Sequence, residues 1–226
     1  SDSSEAEFKP HVWVSDDDLV SKIEVHKIEV DDKKVRFVVK APRYSGKGEC
    51  AVAKAELSIP SDVEKLGALS ISFAGGSLSV DENVAKNVRF DSFHAGSVMG
   101  FYNLPTINAD KVVIDNALGG IDAGLKIGSS AVVRSIKGDI NVEIKLDNGN
   151  KEEIVVDNVM GSIKAVISEN FVGKFKVSSV SGGSSVEDEG KDGHLHFDSD
   201  HPHFKKGLHF TGSKFKDGKG RISVNN

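Results

Sequence analysis

One cysteine, one tryptophan, two methionines, two tyrosines and five prolines are all that 226 residues contain of these types. A lone cysteine, Cys50, excludes an internal disulfide framework and leaves a bond between two chains as the one disulfide open to it. No C-x-x-C pair, Walker loop or G-x-S-x-G elbow is present, so the common redox, nucleotide and serine-nucleophile scaffolds are missing. No apolar run approaches the roughly 18 to 20 residues that a membrane-spanning helix needs, and membrane insertion is not expected. A basic excess is also missing. The net charge is −5, which disfavours nucleic acid and anionic membrane as partners. The chain opens at Ser1 without a secretory signal and without Met, which is compatible with a signal or pro-segment already removed. Helical periodicity is scarce as well, the best candidate being the short run Ser61 to Leu66 with Ser61 as N-cap.

Glycine, by contrast, is plentiful at 23 residues, and much of it recurs in register. Six related segments read LSISFAGGSLSV from Leu69, VRFDSFHAGSVM from Val88, VVIDNALGGIDA from Val112, AVVRSIKGDINV from Ala131, IVVDNVMGSIKA from Ile154 and FKVSSVSGGSSV from Phe175. Their starts lie 19, 24, 19, 23 and 21 residues apart. Self-similarity at such a period is the mark of a stacked, quasi-one-dimensional fold. The first and third positions are apolar and point to one face of a strand. A Ser or Asn at the fifth position, with Phe73 the exception, then a small residue at the eighth (Gly76, Ala95, Gly119, Gly138, Gly161, Gly182), predicts a corner. Beyond it, positions six, eight, ten and twelve, such as Ile136, Gly138, Ile140 and Val142, are expected to form the next inward set. The segment from Val88 fits the pattern least well.

The expectation is therefore an all-β chain built on a parallel β-solenoid of about six coils, on the order of 29 Å tall at strand spacing. An antiparallel sandwich would also supply many short strands, but gives no reason for like residues to recur at like places. Residues 1–66 read as an N-terminal antiparallel layer. It contains a hairpin between KIEVHKIEV and KKVRFVVKA and an alternating strand, ECAVAKAELSIP. Residues 67–186 hold the coils, and residues 187–226 read as further strands capping the other end.

The units SIKGDINVEI, NVMGSIKAVI and SVSGGSSVED resemble the repeats of the bacterial-type adhesin family, whose strand-rich N-terminal section ends in an Ile-Pro dipeptide, here Ile59 and Pro60. The resemblance covers about residues 20 to 190 and rests on small residues and aliphatics, with no catalytic signature. Within this broad group the chain is similar to fungal proteins that form the matrix of vacuolar crystals used in gravity sensing. What this implies is a non-enzymatic solenoid without a cofactor that assembles with itself, vacuolar in the fungal case and extracellular or on the cell surface otherwise.

Candidate sites are surface columns. Position two should face outward, and in three neighbouring coils it is Val113, Val132 and Val155, an apolar stripe to which position seven adds Leu118 and Met160 around Lys137. Such a stripe is either an assembly interface or a face covered by the chain's own return loops. Cys50 shares the more polar face of its strand and is the candidate for an intermolecular disulfide, against a buried or spectator thiol. Position four places Arg134 between Asp115 and Asp157. A surface ion ladder explains this triplet better than a lyase groove, which would need a general base. His194, His196, His201, His203 and His209 cluster near the C-terminus, with Asp192, Asp198 and Asp200 nearby. They are read as outward strand residues, with a metal site or a pH response as the alternatives. A glycan-binding module would want exposed aromatics, for which Trp13, Tyr44 and Tyr102 are the candidates.

Overall fold

The computed structural model describes residues 7–15, 17–31, 34–40, 51–147, 153–167, 173–178, 181–188, 193–202, 204–211 and 220–225. The chain divides into two compact units, Ser1–Asp62 and Val63–Asn226. Among the described residues, no helix is long and apolar enough to cross a membrane.

The first unit is made of two antiparallel pairs. Strand β1 (Glu7–Val14) pairs with β4 (Ala51–Ser58), and β2 (Glu24–Asp31) pairs with β3 (Lys34–Lys40) as the expected hairpin. Pro10 sits within β1, one of two strands in its sheet and therefore an edge strand, where proline is tolerated. A short 3-10 helix, Asp17–Lys22, follows β1. No described side chain of this unit is buried; Phe8 stacks on Phe37 at 4.2 Å, and Trp13, Val20 and Val52 are more than half exposed.

The second unit is the solenoid. It opens with β5 (Lys65–Ser79) and a six-residue helix α1 (Glu82–Asn87), capped by the Asp81 carboxylate accepting from the Asn83 N–H at 2.8 Å. The helix expected at Ser61–Leu66 is absent: residues 61–62 turn, and Lys65 already pairs in parallel with Arg89. Then come β6 (Arg89–Leu118), β7 (Ile121–Lys137), β8 (Ile140–Leu146), β9 (Glu153–Met160) and β10 (Ile163–Ile167), which wind in parallel. Strands β11 (Gly173–Ser178), β12 (Ser184–Asp188), β13 (Gly193–His201), β14 (Phe204–Thr211) and β15 (Gly220–Asn225) complete the sheet.

The fold is a parallel β-solenoid of about four turns, fewer than the six expected. Strand β12 stacks on β10 as a sixth coil would, but β11 does not reach β9. Strand β15 lies between them, with Ile222 beside Ile154 on one side and Phe175 on the other. The C-terminal segment thus enters the stack as well as extending it through the antiparallel pairs of β14 with β11 and with β13.

The register of the second segment also differs from the expectation. Leu69 pairs with Phe93, not Val88, so this coil starts five residues later and its corner glycine is Gly100 rather than Ala95. The shift removes the misfit: Phe93, Ala95, Ser97, Gly100 and Tyr102 then occupy positions one, three, five, eight and ten. Residues 88–92 are the approach strand from α1, and Phe90 is buried there too, edge-on to Phe93 at 5.7 Å.

Each turn contributes two inward sets. Val112, Ile114 and Asn116 in one coil, and Ala131, Val133 and Ser135 in the next, are buried from the first strand, while Ile121, Ala123, Leu125 and Ile127 are buried from the second. Burying each of these Ile, Leu or Val side chains stabilises the fold by about 1.5–3 kcal/mol. Between the sets the chain turns through a glycine with positive φ: 116° at Gly119, 140° at Gly138 and 127° at Gly161. A Cβ on Gly138 would lie 2.1 Å from the Gly119 carbonyl oxygen, so only glycine fits both the dihedral and the spacing. The polar fifth position closes the corner from inside. Asn116 Nδ2 donates to the carbonyls of Gly100 at 2.8 Å and Gly119 at 3.1 Å, and Ser97 Oγ donates to Asn116 Oδ1 at 2.8 Å. Asn158 Nδ2 repeats the bond one coil pair further on, to the Gly138 carbonyl at 2.7 Å.

Candidate interaction surface

The valine stripe is built by the stack itself. Val113 is in register with Val132, and Val132 with Val155, so consecutive coils place three valines side by side on the outer face. Each is half-buried rather than open. The stripe ends at Ser223 of β15, where the repeat alone would have placed Lys176. Beside it runs the charge ladder: Arg134 lies 3.8 Å from Asp115 and 3.6 Å from Asp157, with His94 Nε2 3.7 Å from Asp115. Asp91 belongs to the approach strand and pairs with Lys65 at 2.8 Å.

The corner is where the outer surface departs most from the expectation. Position six was assigned inward, yet Ile136 is 53% exposed. The fifth position takes the last inward place before the corner, so positions six and seven both fall outside, ahead of the positive-φ glycine. The result is a ridge: Val98 and Met99 in the second coil, Leu118 in the third, Ile136 in the fourth, and Val159 and Met160 in the fifth, joined by Phe101 just past the glycine of the second coil. Phe101 is the most open of them at 66%. Leu118 and Met160 therefore stand on this ridge, flanking Lys137 in register. The signal that would have found the ridge is two consecutive residues, often apolar, immediately before each corner glycine.

A second feature is a shallow polar depression of about 600 Å³ lined by Arg89, Asp91, Ser92, Asp110, Lys111, Gly128 and Ser129. Arg89 reaches across coils to Asp110 and Asp147, and Lys126 meets Asp147 at 3.0 Å. A Cβ on Gly128 would fall 2.6 Å from the Asp110 carboxylate, so the missing side chain there makes room for the ion pair. The Lys126 and Arg89 hydrogen bonds hold the Asp147 carboxyl below its ordinary range, and the Asp147 and Asp110 bonds push Arg89 further up.

The remaining candidates separate. Tyr102 is 2% exposed, with its hydroxyl donating to Ser97 Oγ at 2.8 Å, which removes it as a platform for a sugar ring. Burial raises its phenol pKa. Trp13 is open, beside His11. Cys50, Tyr44, Asp192 and His203 lie outside the described residues. His194 and His196 alternate on β13, but His209 on β14 pairs opposite Leu195, out of step with both.

Geometry and fold together define the class: a parallel β-solenoid with apolar columns on its outer face. Comparison with protein families, with curated proteins and with solved structures finds no match for the chain in any of the three.

Proposed function

We propose that this chain is a non-enzymatic structural protein that associates with itself through the outward columns of its solenoid, forming dimers and higher-order assemblies. The observation that carries this reading is the in-register stacking of Val113, Val132 and Val155 on consecutive coils, with Leu118 and Met160 exposed close by. A rigid side that repeats at strand spacing offers the same contact several times over, which suits lateral packing. The sequence resemblance points the same way, since the fungal vacuolar crystal-matrix protein OCTIN is a self-assembling member of the group it implies. In that setting the compartment is the vacuole and the assembly is crystalline; otherwise the family implies an extracellular or cell-surface place. Cys50 is the residue proposed to link chains covalently under oxidising conditions.

Replacing Val113, Val132 and Val155 together by Lys or Glu tests the reading. Assembly followed by light scattering should fall while the strand signal in circular dichroism is kept. Unchanged assembly in a folded variant removes the valines from the interface.

A second reading, a glycan-binding adhesin module, is favoured by the depression beside Arg89, whose carboxylates and hydroxyls match the hydrogen-bonding groups of a sugar. It contains no aromatic platform. A glycan array with no binder above background would eliminate it.

A further inference from the structure

The ridge at the solenoid corner carries more than the valine stripe does. Its seven apolar side chains, about half exposed on average, present on the order of 600 Å² of surface, at the top of the range for the largest patch on a monomer. A stable interface takes roughly 800 Å² from each partner, which the ridge and its polar margins together approach. Its members follow the stack: Val98, Ile136 and Val159 hold position six, Met99, Leu118 and Met160 hold position seven, and Phe101 stands just past the second coil's glycine.

One coil on the ridge carries charge. Lys137 and Asp139 flank the corner residue Gly138, one on each side, and both are exposed. Among the described residues Lys137 has no carboxylate partner, and Asp139 has no cation, its Oδ1 accepting only from the Ser162 N–H at 2.7 Å. Elsewhere on the solenoid, Lys65, Arg89, Lys126, Arg134 and Lys164 face acids, while Lys86 and Lys111 also have no carboxylate partner among the described residues. An unpaired cation and anion on opposite sides of one corner are complementary to themselves. A two-fold axis running outward through this coil brings Lys137 of one copy opposite Asp139 of the other, and the pair occurs twice. The same axis sets the third coil of one copy against the fifth coil of the other.

We propose that this ridge is the contact between two copies of the chain, packed antiparallel about a two-fold axis at the Gly138 corner. The inference rests on the self-association reading and gives it a centre and a symmetry. An isologous contact of this kind closes at two copies. Any larger assembly then uses other columns, the valine stripe among them.

The test uses the full chain in sedimentation velocity over a concentration series, with circular dichroism confirming that every variant is folded. The wild type is expected to dimerise. Lys137→Asp makes the corner wholly acidic and Asp139→Lys makes it wholly basic, so each variant alone should weaken the dimer at least about tenfold. An equimolar mixture of the two should recover a heterodimer. Lys137→Cys mixed with Asp139→Cys, each in a Cys50→Ser background, should form a disulfide-linked heterodimer on oxidation. If the wild type dimerises but the charge-swapped mixture does not recover and the cysteine pair does not cross-link, the ridge is not the contact, while self-association survives. If the wild type stays monomeric at every concentration, the self-association reading and this inference fall together.

Discussion

Gly138 combines two requirements that a single methyl group violates. Its φ of 140° lies where L residues are strained, and an added Cβ would meet the Gly119 carbonyl at 2.1 Å. Gly138→Ala is expected to destabilise the chain by about 3 kcal/mol, from dihedral strain and from forcing two coils apart. Gly67→Ala is the control: its Cβ meets nothing within 4 Å, so its effect should stay within about 1 kcal/mol. Urea denaturation of the two variants decides it. Asp147 gives a second test at the same scale. Lys126 first, and then Arg89, hold its carboxyl below the ordinary value of 3.8. A group with a lowered pKa stabilises the fold fully above its unfolded value, and that contribution is lost as pH falls through the lower folded value. The stability curves of the wild type and Asp147→Asn should therefore be separated at neutral pH and converge below about pH 4. Parallel curves throughout would mean that Asp147 makes no pH-dependent contribution. Inside the corner, Ser135 Oγ and Asn158 Oδ1 are buried without a partner among the described residues. They occupy the places that Ser97 and Asn116 hold two coils earlier, where the hydroxyl does donate to the amide oxygen.

At the scale of the strand, the repeat was legible wherever one local rule governed it. Apolar residues at positions one and three, the polar fifth and the corner glycine identified the coils from Val112 to Ile167, because each such position sees the same neighbour above and below. The second coil was misaligned because Val88, Phe90 and Phe93 are all apolar; only the pairing of Leu69 with Phe93 decides which of them begins the coil. Ile136 was placed inward because strict alternation was carried through a corner where the chain has two outward residues in succession. The entry of β15 between β9 and β11 could not be read from the repeat, since it is a contact between segments far apart in sequence that share no motif. This arrangement makes its own prediction. Removing residues 212–226 takes away the shared neighbour of β9 and β11, while β7 keeps its partners on both sides. Hydrogen exchange should accelerate at the amides of residues 153–157 and 173–178 and remain unchanged at 121–127. Unchanged protection in β9 would mean that β11 closes directly onto it, restoring the coil spacing that the repeat implies.

Across the whole molecule, burial is concentrated in one of the two units. Every buried hydrophobic side chain among the described residues, from Ala85 to Ala165, belongs to the unit beginning at Val63. The unit ending at Asp62 has two separate two-stranded sheets and not one described side chain that is buried. Two-stranded sheets without a covered face are marginal in water, because the hydrogen bonds they gain scarcely offset the backbone entropy they lose. The solenoid is different: its contacts are mostly between adjacent coils, so its stability is a sum of neighbouring interfaces that needs nothing from residues 1–62. A fragment of residues 63–226 should therefore unfold cooperatively in urea, with a midpoint close to that of the full chain. A fragment of residues 1–62 should show no cooperative transition and the circular dichroism of a largely unfolded peptide. A cooperative transition in the shorter fragment would reveal a core that its open strands do not account for. A collapse of the longer one would mean that the coils depend on the N-terminal residues for their stability.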